Sequence, residues 1–84
     1  MIALVAGEVA ARGADGVVIE TASGIGYRVA VSSETLARVP AVGGELSLLT
    51  HLVVREDALS LYGFATESER ELFLLLIGVQ SVGP

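Results

Sequence analysis

The residues that could do chemistry are concentrated in one short stretch of this 84-residue chain. Arg55, Glu56 and Asp57 are consecutive charged residues between two apolar runs, and the only histidine, His51, precedes them. Histidine and carboxylates can bind metals or transfer protons. One histidine and two adjacent carboxylates supply too few ligands for zinc, and no glycine-rich phosphate loop, serine nucleophile motif or zinc spacing accompanies them. We therefore predict no catalytic residue, no metal site and no cofactor, and we interpret His51 as a residue on a strand face.

The two apolar runs predict adjacent strands joined by a charged turn. Residues 48–54 and 59–62 are rich in aliphatic and β-branched side chains, which is typical of paired strands on either side of a polar break. The three charged residues cannot be core, because burying an unpaired charge is costly. From the residues alone, the turn is a solvated loop or a functional tip.

Further patterns predict the elements that position this hairpin. Ser32 or Ser33 can cap a short helix that extends through Arg38, and Pro40 ends it. Five strands with a helix between the third and fourth match the OB barrel, so we predict a mainly β fold of this class. The predicted strands cover residues 2–9, 17–21, 27–31, 45–54 and 58–64, with turns at Asp15-Gly16, Gly24 to Gly26 and Gly43-Gly44.

A second helix is predicted near the carboxyl end. Thr66 and Glu69 have the spacing of a capping box, in which the threonine hydroxyl accepts from the Glu69 amide and the carboxylate reaches back to the cap. Residues 72–77 give the helix a broad apolar face, and Gly78 is its predicted end.

The charge balance argues against a stand-alone DNA-binding domain. The net charge is −5, with ten acidic residues against five basic ones and no basic cluster. Duplex affinity comes largely from lysine and arginine neutralising phosphates, so any DNA affinity must come from elsewhere. A single-strand nucleic-acid-binding OB module is the alternative function, and it would need exposed aromatic side chains and a basic groove. We expect most of the four aromatic residues, Tyr27, Tyr62, Phe64 and Phe73, to be core instead.

The apolar content exceeds what one small domain can bury. Hydrophobic residues make up 52% of the chain, and we expect the excess to be buried between subunits. No apolar run is long enough to cross a membrane, and the start of the chain has no basic leader, so we expect a soluble protein with no membrane partner. The lack of cysteine excludes disulfides and thiolate metal sites.

The chain closely resembles the amino-terminal region of the RuvA family, the junction-recognition subunits of the Holliday-junction branch-migration complex. The resemblance spans nearly all of the sequence and is specific. It is carried by residues 1–2, 24–27, 50–64, 69–73 and 81–84.

The resemblance implies a domain division and a set of site residues. It implies an OB-fold oligomerisation domain at residues 1–64 and the start of an incomplete helix-hairpin-helix DNA-binding domain at residues 65–84. Ser81 stands where the family usually has a glycine. The implied site residues are Glu56 and Asp57 as the acidic pin, Arg55 as its flanking charge, and Val82 and Gly83 as contacts to a DNA phosphate.

The resemblance also implies an assembly and its partners. Four subunits form a flat plate, with octamers left open, and a four-way junction lies across it with the pins at the crossover. The subunit is non-catalytic and acts in homologous recombination and DNA repair in the bacterial cytoplasm. The ATPase RuvB and the resolvase RuvC are the implied protein partners, through regions outside this chain.

Overall fold

The computed structural model describes residues 2–14 and 16–82, with side chains described as far as residue 78. Five strands and two helices follow one another in the predicted order, which confirms the mainly β fold class. The elements are β1 (Leu4–Arg12), β2 (Gly16–Glu20), β3 (Gly26–Val31), α1 (Ser33–Ala37), β4 (Glu45–Val54), β5 (Leu59–Phe64) and α2 (Glu67–Val82).

The five strands form a closed barrel in the order β1-β2-β3-β5-β4, as expected for an OB fold. The barrel closes because β1 pairs with both β2 and β4, antiparallel in each case. Strands β3 and β5 are the parallel pair, with Ala30 opposite Tyr62 and Val31 opposite Gly63. Closure leaves no long unpaired strand edge in the described barrel.

Small branched side chains fill the barrel interior. Alternate residues of each strand point inward, and together these inward-facing side chains form one continuous core. Thr50 is buried among them, and its hydroxyl donates to the Ile2 carbonyl at 2.9 Å. The buried apolar residues are Val5, Val9, Val17, Ile19, Val29, Val39, Leu48, Leu61 and Phe64.

Gly63 lets β5 pass close to the core. A Cβ built there would lie 2.5 Å from Val29 Cγ1 and 2.9 Å from Leu48 Cδ1, both of which are core side chains. No larger residue fits without displacing them.

Several predicted boundaries were wrong. Strand β1 begins at Leu4 rather than residue 2 and continues to Arg12, past a register shift between Val9 and Ala11. Helix α2 does not end at Gly78 but continues to Val82. A glycine inside a helix costs only about 1 kcal/mol relative to alanine, so it does not by itself end one.

The start of α1 and the turn after β1 can be compared with the prediction. Ser32, rather than Ser33, caps α1, because its hydroxyl accepts from the Thr35 amide at 3.1 Å. Pro40 follows the end of that helix, as predicted. Asp15, predicted for the first turn, lies outside the described residues, while Gly13 donates its amide to the Gly16 carbonyl at 2.9 Å.

Candidate functional site

The β4–β5 hairpin carries the charged tip predicted from the sequence. Its last cross-strand pair in the ladder is Val54 opposite Leu59. Beyond that pair, the Arg55 amide donates to the Ala58 carbonyl at 2.9 Å. Glu56 and Asp57 are therefore the two residues at the turn itself.

The three charged side chains of the tip face solvent. Arg55, Glu56 and Asp57 are all exposed. Within the described part of the chain the single ion pair joins Arg70 and Glu67 at 3.3 Å, so neither tip carboxylate is neutralised by a salt bridge there. The tip thus presents two adjacent negative charges to whatever approaches the end of the hairpin.

An apolar pair lies directly below the tip. Val54 and Leu59 are 66% and 68% exposed, although they continue the strand face that carries Leu52 and the buried Leu61. Side chains two residues apart share a face, so the hairpin extends past the end of the filled barrel interior. The pair stays uncovered by the described residues.

The single histidine belongs to an aromatic cluster between the barrel and α2. His51 lies opposite Tyr62 on β4 and β5, and the ring of Phe73 from α2 packs over both, at centroid distances of 6.1 and 5.0 Å. Phe73 also lies 5.1 Å from the ring of the buried Phe64. Three of the four aromatic residues thus pack on one another, which leaves few platforms for stacking bases. Among residues 2–14 and 16–82, no group of three histidine or carboxylate side chains could hold a metal ion.

Glu69 connects the start of α2 to the short helix α1. Its carboxylate accepts hydrogen bonds from the hydroxyls of Ser32 and Thr35, both at 2.7 Å, and from the Ala65 amide at 3.2 Å. The Glu69 amide in turn donates to the Thr66 hydroxyl at 3.2 Å, which confirms the first half of the predicted capping box. The second half was wrong, because the carboxylate reaches the amide of Ala65 rather than that of the cap residue.

These contacts determine the ionisation of Glu69. Burial alone would raise the pKa of its carboxyl group, but hydrogen bonds from Thr35, Ser32 and Ala65, together with the charge of Arg38, lower the pKa below its ordinary value. The group is therefore a carboxylate at neutral pH, and the ionised form is the one that the donors stabilise.

Two further side chains hold α2 against the barrel. Arg70 Nε donates to the Thr50 carbonyl of β4 at 3.3 Å, and Phe73 completes the aromatic cluster. At the other end, Val82 is the last residue of α2 and its side chain is not described. Gly83, predicted with Val82 to contact a phosphate, lies outside the described residues.

A second acidic group, which the sequence analysis missed, lies at the opposite end of the barrel. Glu8 of β1 is in register with Glu20 on one side and Glu45 on the other, and all three are exposed. These residues are far apart in the sequence, and only the strand register brings them together. The group could have been predicted only from the correct pairing of β1 with β2 and β4.

Sequence similarity identifies the family to which this chain belongs. The family model described as the RuvA N terminal domain matches residues 1–63, which include β4, the hairpin tip and all but the last residue of β5. This chain belongs to the RuvA N-terminal domain family. The match ends within β5, before α2 begins.

Three curated relatives show how far the similarity extends. A protein of Symbiobacterium thermophilum is 54% identical over 84 residues, and one of Geobacter sp. is 48% identical over 84 residues. One of Chlorobium phaeovibrioides is 60% identical over 62 residues, or 74% of this chain and 31% of the relative. All three are named Holliday junction branch migration complex subunit RuvA. The first two matches cover 100% of this chain but only 40% and 42% of the relatives, so the chain spans about two fifths of their length.

Within the described residues, no helix is both long and apolar enough to cross a membrane.

Proposed function

We propose that this chain is the amino-terminal part of a RuvA-type subunit that binds four-way junction DNA during branch migration, in recombination and repair. The observation that carries the proposal is the hairpin tip, where Glu56 and Asp57 are exposed and unpaired within a RuvA N-terminal fold. In this proposal the chain is non-catalytic, and RuvB supplies the ATPase.

The two parts of the chain have different tasks in this proposal. Residues 1–64 form the barrel that oligomerises and carries the acidic pin. Residues 65–84 begin a helix-hairpin-helix domain, in which Val82 and Gly83 contact a DNA phosphate. Backbone amides at such a hairpin can bind a phosphate without any basic side chain. This division suits a net charge of −5, which requires that most DNA affinity reside outside the barrel.

Exposed apolar side chains support self-association into a tetramer. Eight large hydrophobic residues are at least half exposed, more than scattered surface positions require, and they offer area for contacts between subunits. They are Leu4, Ile25, Val42, Val54, Leu59, Leu72, Leu75 and Leu76. A plate of four chains would bring four hairpin tips together.

Repulsion between the pins and DNA phosphates would then separate strands at the crossover. Four chains contribute eight carboxylates, two from each tip. A pair of like charges about 4 Å apart costs about 1 kcal/mol in water and about 4 kcal/mol at an effective dielectric constant of 20. Salt screens the effect beyond about 8 Å, so the pin acts locally and guides strands into separate arms while the motor moves the duplexes. Arg55, beside the two carboxylates, offsets part of the repulsion.

Binding measurements with a longer natural form of the protein test this function. Fluorescence anisotropy with a labelled four-way junction and a linear duplex of the same sequence gives the two affinities. We expect clear preference for the junction. Equal affinity for both would contradict junction recognition, and tight salt-sensitive binding of single strands by residues 1–84 would favour the single-strand module.

A further inference from the structure

Three side chains in the first two turns of α2 make its described contacts with the rest of the protein. Glu69 binds α1 and the residue that follows β5, Arg70 binds the backbone of β4, and Phe73 packs on the aromatic rings of β4 and β5. Farther along, Leu75 and Leu76 are exposed, although Leu76 still borders the groove that is lined by Tyr62 and Phe73. The hydrogen bonds and ring contacts that fix the direction of the helix therefore lie in its first two turns.

The partners of Glu69 are themselves fixed on the barrel. Thr35 is only 2% exposed. Ser32 directly follows the last residue of β3, while Arg12 of β1 donates from Nη2 to the Leu36 carbonyl near the end of α1, at 2.8 Å. The short helix is therefore tied to β3 at its start and to β1 near its end, so a side chain bound to it is bound to the barrel.

We infer that Glu69 is a positioning residue that fixes the direction of α2 relative to the acidic hairpin tip. Its carboxylate, carried by α2, bonds to the cap and first turn of α1 and to Ala65, the residue that follows β5. The consequence for DNA rests on the proposed function, because α2 leads directly to the predicted phosphate-binding residues Val82 and Gly83. The geometric inference does not depend on that function.

Because α2 is long, a small rotation of the helix about its base displaces its far end by several ångströms. At 1.5 Å per residue, the distance along the axis from Glu69 to Val82 is about 20 Å, so a tilt of about 10° moves the far end by roughly 3 Å. Hydrogen bonds to a phosphate tolerate only about 0.5 Å of variation in length. A modest tilt would therefore misplace the hairpin relative to a junction held at the pins.

A carboxylate suits this role better than a neutral group. Hydrogen bonds to a charged acceptor are shorter and stronger than neutral ones. The nearby charged groups on α1 are Glu34, which is exposed, and Arg38, whose charge favours ionised Glu69. On α2 itself, Arg70 pairs with Glu67. Because the pKa of Glu69 is lowered, the contact is complete above the ordinary value of 4.5 and is lost as the pH falls through the folded-state pKa.

Distance measurements between the hairpin and α2 test the inference directly. The chain has no cysteine, so Ala58→Cys and Leu75→Cys give two unique sites for spin labels. With the labelled chain diluted in an excess of unlabelled chain, so that distances between subunits do not contribute, double electron–electron resonance reports the distribution of distances between the two sites. Leu75 lies six residues, or about 9 Å along the axis, from Glu69, so the same tilt of about 10° moves it by about 1.5 Å. We expect Glu69→Gln, Glu69→Ala and Thr35→Val to broaden or shift this distribution by about that amount.

The matched controls separate this effect from charge and from packing. Glu71→Gln makes the same charge change at an exposed position on the same helix, and Thr35→Ser keeps the donating hydroxyl. Both should preserve the parent distribution. Circular dichroism verifies that each variant is folded. If Glu69→Gln and Glu69→Ala both give the same narrow distribution as Glu71→Gln, the inference is overturned.

A pH series on the labelled parent gives a readout that needs no substitution at position 69. The distribution should broaden as the pH falls below about 4.5, and this step should be absent in Glu69→Gln. Broadening at the same pH in Glu69→Gln would assign the change to other groups and contradict the inference.

Junction binding by the longer protein tests the consequence separately. We expect Glu69→Gln to weaken junction binding about tenfold relative to Glu71→Gln, the value of one lost hydrogen bond to a charged group. If Glu69→Gln broadens the distance distribution but leaves the junction affinity unchanged, only the link between Glu69 and DNA binding is refuted. A parent protein without junction preference would instead refute the proposed function, and the distance result would stand.

Discussion

Neutralising the hairpin tip should tighten binding to continuous duplex and reduce the preference for junctions. The double substitution Glu56→Gln and Asp57→Asn removes both charges and preserves side-chain shape. Both residues are exposed and form no ion pair with the described residues, so the change should leave folding intact. A junction centre can avoid the tips, whereas a duplex crossing the same place cannot. Removing the charges therefore strengthens binding to the duplex more than binding to the junction.

The expected size follows from the exposure of the tip, which places the charges in water. At about 6 Å, a carboxylate and a phosphate repel by about 0.7 kcal/mol, and screening at 0.15 M salt leaves about 0.3 kcal/mol. If a duplex lies this close to four of the eight carboxylates, the sum is about 1.3 kcal/mol, or about tenfold in affinity. At 0.01 M salt, the same four contacts give about 2.3 kcal/mol, or about 45-fold.

The assay is the affinity for junction and duplex at these two salt concentrations, for the parent and the double variant of the longer protein. The control is Glu20→Gln with Glu45→Gln, which makes the same charge change at exposed sites. Glu45 lies at the far end of β4 from the tip, about 30 Å from Val54 at 3.3 Å per residue. The pin assignment is wrong if the double variant keeps the parent's ratio of junction to duplex affinity at 0.01 M salt, or if its ratio changes only as much as that of the control. The carboxylates would then be a solvated turn.

Three other predictions concern assembly, affinity and the core. Light scattering should show that the chain self-associates, because its exposed apolar side chains exceed what a monomer needs; a monomer at high concentration would contradict this. Residues 1–84 alone should bind four-way junctions weakly in a gel-shift titration, since the net charge is −5, and a longer form should bind tightly. Gly63→Ala should lower the free energy of unfolding by about 1–3 kcal/mol in urea titrations. Gly13→Ala, whose added Cβ would have its nearest neighbour at 3.8 Å, should change it little.

The strands of the barrel could be predicted because the sequence patterns that define them are local. Alternation with a period of two identifies strands, and a charged break between two β-rich runs identifies the hairpin and its tip. The register within that hairpin places Glu56 and Asp57 at the turn, where the sequence analysis expected them. The predicted end of α2 was wrong because a single glycine inside a helix costs only about 1 kcal/mol relative to alanine, which makes it a weak stop signal.

The contacts between segments were not predictable from the same patterns. Glu69 has the spacing of a capping box, which predicts a partner three residues away, yet its hydroxyl donors Ser32 and Thr35 lie 37 and 34 residues earlier in the chain. Periodicity contains no information about such pairs. The grouping of Glu8 with Glu20 and Glu45 likewise depends on the register of two strand pairings, which alternation alone does not fix.

The distribution of charge connects these findings to the proposed function. Ten acidic residues against five basic ones should repel DNA, but the tip and the group around Glu8 lie at opposite ends of the barrel. Only the tip would then face the crossover, and its repulsion is useful only where strands are already held close by another part of the protein. Under the proposed function, α2 leads from the barrel to that part. A pin that acts over about 8 Å would then have to be held in a fixed relation to the proposed phosphate-binding hairpin, because a shift of several ångströms would remove its effect. On this proposal, the hydrogen-bonded carboxylate at the base of α2 and the two exposed carboxylates at the tip belong to the same mechanism.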